Sequence, residues 1–206
     1  DKSIPSIMQG VDIVGIAGTG TGKTAAFLIP IIQDLIENPD RNSALIVAPT
    51  RELATQIHDE FRSLTLGLNL YASCLIGGEP VNRSLKALSR MNHVIIGTPG
   101  RLIDMVERRK LSLTKFKTLV LDEFDRMLDM GFVADIKTLN NGMISKGQTL
   151  LFSATVDGSI KSTIAEVTDE PVEVRASRNT HNSKTIEQDV LYVPKDQKKL
   201  DVLCTL

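Results

Sequence analysis

Five short stretches of this 206-residue chain are continuously apolar rather than alternating: Ile13–Ile16, Leu45–Ala48, Val94–Ile96, Leu119–Leu121 and Leu150–Phe152. A strand with one wet face alternates apolar and polar residues. A continuous run predicts a strand buried on both faces, the condition of a parallel sheet covered by helices. Leu70–Ile76 and Val172–Val174 are weaker strand candidates.

Between these runs the period changes. Leu53, Ile57, Phe61 and Leu64 recur at helical spacing, as do Val81, Leu85 and Leu88, then Phe132, Ile136, Leu139 and Met143, then Ile160, Ile164 and Val167. Each set predicts one apolar helix face. Gly10 and Gly67 stand where helices should end, because glycine accepts the left-handed cap conformation. The fold class that follows is α/β, a mostly parallel sheet with helices on both faces. This pattern holds over residues 1–176. Ser177–Lys184 is polar and aperiodic and reads as a linker. Ile186–Val193 then suggests a strand, and Leu200, Leu203 and Leu206 suggest a helix start. Residues 177–206 therefore read as a linker and the truncated opening of a second domain, with a tail packed on the first as the alternative.

Composition excludes several classes. Apolar content is 42% and the net charge is −1, so the chain is not a disordered polyelectrolyte. Nothing approaches the roughly 20 apolar residues of a membrane span. Cys74 and Cys204 are far apart and outside any metal-ligand spacing. We expect a cytoplasmic, monomeric protein without membrane contact. A neutral chain does not coat nucleic acid by charge, but it can grip a few phosphates with placed groups.

One segment carries chemistry by itself. Ala17, Gly18, Thr19, Gly20, Thr21, Gly22, Lys23 and Thr24 lie between a predicted strand and a predicted helix. Glycines there let backbone N–H groups converge on phosphate oxygens at a helix N-terminus. Lys23 is placed to reach the β- and γ-phosphates and Thr24 to hold Mg²⁺. Asp122 and Glu123 follow the Leu119–Leu121 strand, and ligands of open α/β sheets bind at such carboxyl ends. Asp122 suits a metal ligand, and Glu123 suits the group that orients and deprotonates water.

Asp122-Glu123-Phe124-Asp125, together with the phosphate loop, resembles the signature of the DEAD-box RNA helicases. Further segments match in order: Pro49-Thr50-Arg51-Glu52-Leu53-Ala54, Gly77-Gly78, Thr98-Pro99-Gly100-Arg101 and Ser153-Ala154-Thr155. The resemblance runs to about Val174. It implies the first of two RecA-like domains of an enzyme that hydrolyses ATP with Mg²⁺ and opens short RNA duplexes. It implies Lys23, Asp122 and Glu123 as catalytic residues, Ala17 to Thr24 as the nucleotide loop, and Thr24 and Asp122 as metal ligands. It implies Arg51, Gly78, Thr98, Gly100 and Arg101 as RNA-backbone contacts. Asp125, Ser153 and Thr155 are implied to couple hydrolysis to strand separation. The implied partners are RNA, read without regard to sequence, and a second RecA-like domain.

The chain departs from the family at three points. Phe124 replaces the usual Ala, and its ring must be buried somewhere. Gly18 replaces Gln. The adenine-reading Gln falls just before Asp1, and Gln9 is not that residue. Two other readings stay open: a P-loop kinase or motor ATPase with no RNA role, and an RNA-binding scaffold with an idle ATPase. Read singly, Arg51 is a solvated first-turn residue and Thr98-Pro99-Gly100 a turn. The cluster Arg101, Arg108, Arg109 and Lys110 is a phosphate contact or a solvated helix end, and Met127 and Met130 are packing residues.

Overall fold

The computed structural model describes residues 2–18, 20–40, 42–176, 191–193 and 202. The chain divides into two compact units, Asp1–Ala176 and Ser177–Leu206. The linker and nearly all of the strand and helix expected beyond it lie outside the described residues, as do Thr19 and Cys204.

The first unit alternates strands and helices in the order α1 Ile4–Met8, β1 Ile13–Ile16, α2 Lys23–Glu37, β2 Ala44–Val47, α3 Arg51–Leu64, β3 Ala72–Leu75, α4 Val81–Leu88, β4 Val94–Gly97 and α5 Pro99–Glu107. β5 Thr118–Leu121, α6 Phe124–Asp129, α7 Val133–Gly142, β6 Gln148–Ser153, α8 Gly158–Val167 and β7 Val172–Arg175 complete it. The strands form one sheet in the order β3-β4-β2-β5-β6-β1-β7. Every pairing is parallel. No described helix is long and apolar enough to cross a membrane.

The continuous apolar runs have a simple cause. Successive strand residues point to opposite faces, and both faces are covered. Val14, Leu45, Ile95, Leu119, Leu121 and Leu151 enter one core with residues of α5, α7 and α8. Ile13, Ile46, Val94, Ile96, Val120 and Leu150 enter the other, with α2 and α3.

Two helix expectations need correction. Leu64 is exposed, because α3 ends there and its buried stripe is Ala54, Ile57 and Phe61. Met130 is also exposed, because it caps the short helix α6 rather than continuing a buried face. Met127 is fully buried.

A polar clip fixes the strand that leads to the phosphate loop. Buried Asp12, just ahead of β1, accepts from Thr149 N at 2.6 Å and from Asp169 N at 2.7 Å. Lys146 Nζ donates to Asn140 Oδ1, Thr149 Oγ1 and Val167 O at 2.6–2.9 Å. Burial pushes the Lys146 ammonium below its ordinary range, while Asp12 and Asp169 oppose the shift. The clip ties β1 to β6 and to the approach of β7 at the end of the sheet away from the loop.

Candidate functional site

All of the segments singled out in the sequence follow the carboxyl ends of strands, so parallel pairing delivers them to one edge of the sheet. They fall into two groups. The loops after β1, β6 and β5 are neighbours in the sheet, and so are those after β2, β4 and β3.

In the first group, the loop after β1 turns sharply at Gly20 and Gly22, with φ of +74° and +80°. Glycine adopts this left-handed region without the Cβ clash of other residues. Gly22 caps α2, so the first N–H groups of a 15-residue helix open into the loop. Thr21 Oγ1 donates to Gly18 O at 2.9 Å, and Lys23 Nζ donates to Ala17 O at 3.0 Å. Thr24 is partly buried in the first turn. A Cβ on Gly18 would meet nothing within 4 Å, so the difference from Gln at this position lies in open space.

Asp122 sits at the end of β5 and is 2% exposed. Its Oδ1 accepts from Glu123 N at 3.0 Å. Burial pushes its pKa up to about 6; the charges of Glu123 and Asp125 add to this, while Lys23 and the Glu123 amide work against it. Glu123 caps α6 at φ +51°, ψ +53°, a left-handed conformation rare for a residue with a side chain. Such strain persists where surrounding structure over-determines it, and it concentrates at functional sites. Arg126 Nη1 meets Glu123 Oε2 at 3.3 Å. The Phe124 ring is fully buried in one of the two cores.

The loop after β6 lies between the other two. Ser153 O accepts from Ala17 N at 3.0 Å, joining it to the phosphate loop. Asp125 Oδ2 accepts from Thr155 N and Thr155 Oγ1, both at 2.9 Å, and from Ala154 N at 3.2 Å. Asp125 N donates to Ser153 Oγ at 3.3 Å. Desolvation alone would raise the Asp125 carboxyl, but the Thr155 hydroxyl and amide and the Arg126 amide hold it below its usual range.

The second group encloses an open groove of about 630 Å³ lined by Thr50, Arg51, Gly77, Thr98, Gly100 and Met130, with Arg101 in its floor. The N-termini of α3 and α5 both open here, and Thr50 Oγ1 caps α3 by accepting from Leu53 N at 3.2 Å. The Arg51 guanidinium lies across Gly78, where a Cβ would coincide with it. Arg101 is 9% exposed. Its Nη1 donates to Ser84 Oγ and its Nη2 to Glu79 O, each at 2.7 Å, and its Nε is 3.9 Å from Asp104 Oδ2. Arg108 pairs with the same Asp104 at 2.6 Å, while Arg109 and Lys110 are exposed at the far end of α5.

Sequence reasoning missed Ser84, Arg126 and Met130 as members of this edge. Arg126 had a usable signal, a cation three residues after Glu123 at the start of a helix. Ser84 and Met130 had none, since their roles arise from contacts between segments distant in the chain.

The donor set suits a hard cation that brings its own phosphate ligands. Thr24 and Asp122 offer oxygen only, the preference of Mg²⁺. Among the described residues no cluster of three or more His, Cys, Asp or Glu is placed to hold a metal.

The chain and its fold are similar to those of known proteins. The chain is 40% identical over 205 residues to the ATP-dependent rRNA helicase RRP3 of Gibberella zeae, covering 98% of this chain and 42% of that protein. It is also 40% identical over 205 residues to the DEAD-box ATP-dependent RNA helicase CshA of Geobacillus kaustophilus, covering 100% of this chain and 44% of that one. A crystal structure of a DEAD box protein from the hyperthermophile Methanococcus jannaschii superposes with a TM-score of 0.81 at 38% identity, over 86% of this chain and 49% of that one. The chain thus spans less than half the length of each of these relatives. The family profile for DEAD/DEAH box helicases matches residues 1–163, from α1 into α8 and through every segment of the edge described above, and the chain is a member of that family.

Proposed function

We propose that residues 1–176 are the N-terminal RecA-like domain of an ATP-dependent RNA helicase, and that residues 177–206 lead into a second RecA-like domain. The observation that carries this reading is the adjacency of β1, β6 and β5. It sets a phosphate loop, the Asp122–Asp125 segment and a loop hydrogen-bonded to Ala17 of the first and Asp125 of the second on three neighbouring strands.

ATP binds with its phosphates on the loop amides and the start of α2. Lys23 leaves the Ala17 carbonyl and pairs with the β- and γ-phosphates. Thr24 and Asp122 would hold Mg²⁺, which would supply positive charge against the charge developing on the phosphates. A cation held beside Asp122 would favour its ionised carboxylate, as Lys23 already does. Glu123 orients a water on the γ-phosphate and accepts its proton as ADP and inorganic phosphate form. Asp125, held by Thr155 and Ser153, transmits the change to the Ser153–Thr155 segment after β6.

RNA lies along the groove. Arg51, Gly78, Thr98 and Gly100 meet its backbone, with Arg101 beneath. These groups address phosphate and sugar rather than base edges, so binding is independent of sequence. The second domain supplies the other half of the RNA clamp and arginines for the transition state. We read the protein as a cytoplasmic monomer.

Calorimetry with Mg²⁺, comparing ADP and GDP on the wild type and Lys23→Ala, tests the nucleotide site. ADP binding that disappears in the variant is the expected result. Failure of the wild type to bind either nucleotide counts against the reading. GDP binding equal to ADP would show a working loop without base choice. RNA-stimulated ATP hydrolysis in a protein carrying both domains, lost on Arg51→Ala, tests the RNA half.

A further inference from the structure

Arg101 is the one cation of the groove that is almost wholly withdrawn from solvent. An arginine that grips phosphate presents its fork of donors outward. This one turns both terminal nitrogens inward. Nη1 is given to Ser84 of α4, and Nη2 is given to the backbone carbonyl of Glu79. Its Nε faces Asp104, one turn along its own helix. Three segments therefore converge on one guanidinium: the turn after β3, the helix that follows it, and the start of α5.

Glu79 is the residue after Gly78. Gly78 stands at φ +75°, and its bare Cα supports the Arg51 guanidinium. A Cβ on Gly77 would lie 4.0 Å from the same group. The height and tilt of Arg51 are thus set by the turn it rests on, and the turn is tied down by Arg101 through the Glu79 carbonyl. Ser84 is 3% exposed, and in this structure its hydroxyl receives the Arg101 Nη1 bond.

We propose that Arg101 and Ser84 are positioning residues that serve RNA through the Gly77–Gly78–Glu79 turn and Arg51, rather than by contact of the Arg101 fork with phosphate. The proposal rests on the reading of the groove as the RNA site, and it deepens that reading by separating the residue that touches the backbone from those that aim it.

Ser84→Ala gives the sharpest test, because the two alternatives predict opposite signs. It releases Nη1 of Arg101 and deletes nothing that RNA can reach. If Arg101 gripped phosphate itself, freeing a donor would leave affinity unchanged or raise it. Under the positioning role the turn loosens and affinity falls. The measurement is fluorescence anisotropy with a labelled ten-nucleotide single-stranded oligouridine on the 206-residue chain. Circular dichroism melting checks that each variant is folded.

A double-mutant cycle then isolates the dependence on Arg51. We expect Arg51→Ala and Arg101→Ala each to lose about tenfold and Ser84→Ala about two- to threefold, the scale of one backbone contact and its support. In the Arg51→Ala background both other substitutions should be nearly silent. Losses that multiply, or a Ser84→Ala variant that binds as well as wild type, would overturn the proposal.

A readout without RNA separates this failure from failure of the RNA reading. In ¹H–¹⁵N spectra the Gly77 and Gly78 amides should shift in Ser84→Ala and Arg101→Ala. Unshifted glycine amides overturn the relay whatever RNA does. Wild type and Arg51→Ala binding RNA equally would instead sink the RNA reading, and shifted amides would then still support the relay as a property of the turn.

Discussion

Asp122 carries a conflict that the free chain cannot resolve. Its carboxyl is buried, and its pKa rises from the ordinary 3.8 to about 6. The folded chain therefore holds a proton that the unfolded chain releases between these two values. Stability is unaffected by this group below about pH 4, falls as pH rises to 6, and is about 3 kcal/mol lower at pH 7. Asp122→Asn removes the penalty. In nucleotide-free urea unfolding, the variant should gain on wild type between pH 4 and 7, by up to about 3 kcal/mol, while Mg²⁺-dependent ADP binding is lost. Equal pH profiles for the two proteins would contradict the assignment. Asp125 runs the other way. Its carboxyl is held low, so its contribution is present above pH 3.8 and is lost only as pH falls below it, outside the Asp122 window. Phe124 gives a third expectation. Phe124→Ala writes the residue that the family normally carries, yet here it empties a fully buried ring site. It should cost about 3–5 kcal/mol in unfolding experiments, because the surrounding core has been packed around the ring.

The turn after β3 shows how an element can hold function in its backbone. Gly78→Ala meets two penalties, a left-handed φ and the Arg51 guanidinium lying where the methyl would go. The guanidinium is the far end of a flexible side chain and moves away, so the stability loss should be only about 1–2 kcal/mol. RNA affinity should fall by as much as in Arg51→Ala, since the same group is displaced. A Gly78→Ala variant that melts normally and binds RNA normally would show that Arg51 needs no such seat. Elements of this kind were unevenly legible in the sequence. Strands announced themselves because burial on both faces removes alternation, as in Val94–Gly97. The helix α3 was legible in type but not in its last turn, where Leu64 is exposed. The phosphate loop and the Asp122-Glu123 pair could be read from local pattern, because their chemistry depends on neighbours in the chain. Arg101 could be placed at the groove but not oriented. Its partners Glu79 and Ser84 lie 22 and 17 residues away, and only folding brings them to it.

Across the whole sheet, the order of strands divides labour. On the proposed function, β5, β6 and β1 carry the nucleotide half of the edge and β3, β4 and β2 the RNA half; the sheet order keeps the two sets of loops apart. The two halves meet where β2 pairs with β5. In the first unit the two sets of loops follow different strands. The free energies lost on Lys23→Ala and Arg51→Ala should therefore add within about 0.5 kcal/mol when RNA binding is measured with and without ATP. Strong non-additivity would mean that the sheet itself transmits the signal.

The same order has a consequence for synthesis on the ribosome. Within the first unit β1 is the first strand made, yet its sheet partners are β6 and β7, the last two. About 130 residues separate Ile16 from Gln148. At roughly 5–20 residues per second, the strand bearing the phosphate loop waits on the order of ten seconds for its first neighbour. Through that interval its apolar residues have no sheet to enter, and a chaperone or the growing helices must shelter them. The phosphate loop is therefore among the last parts of the first unit to be completed.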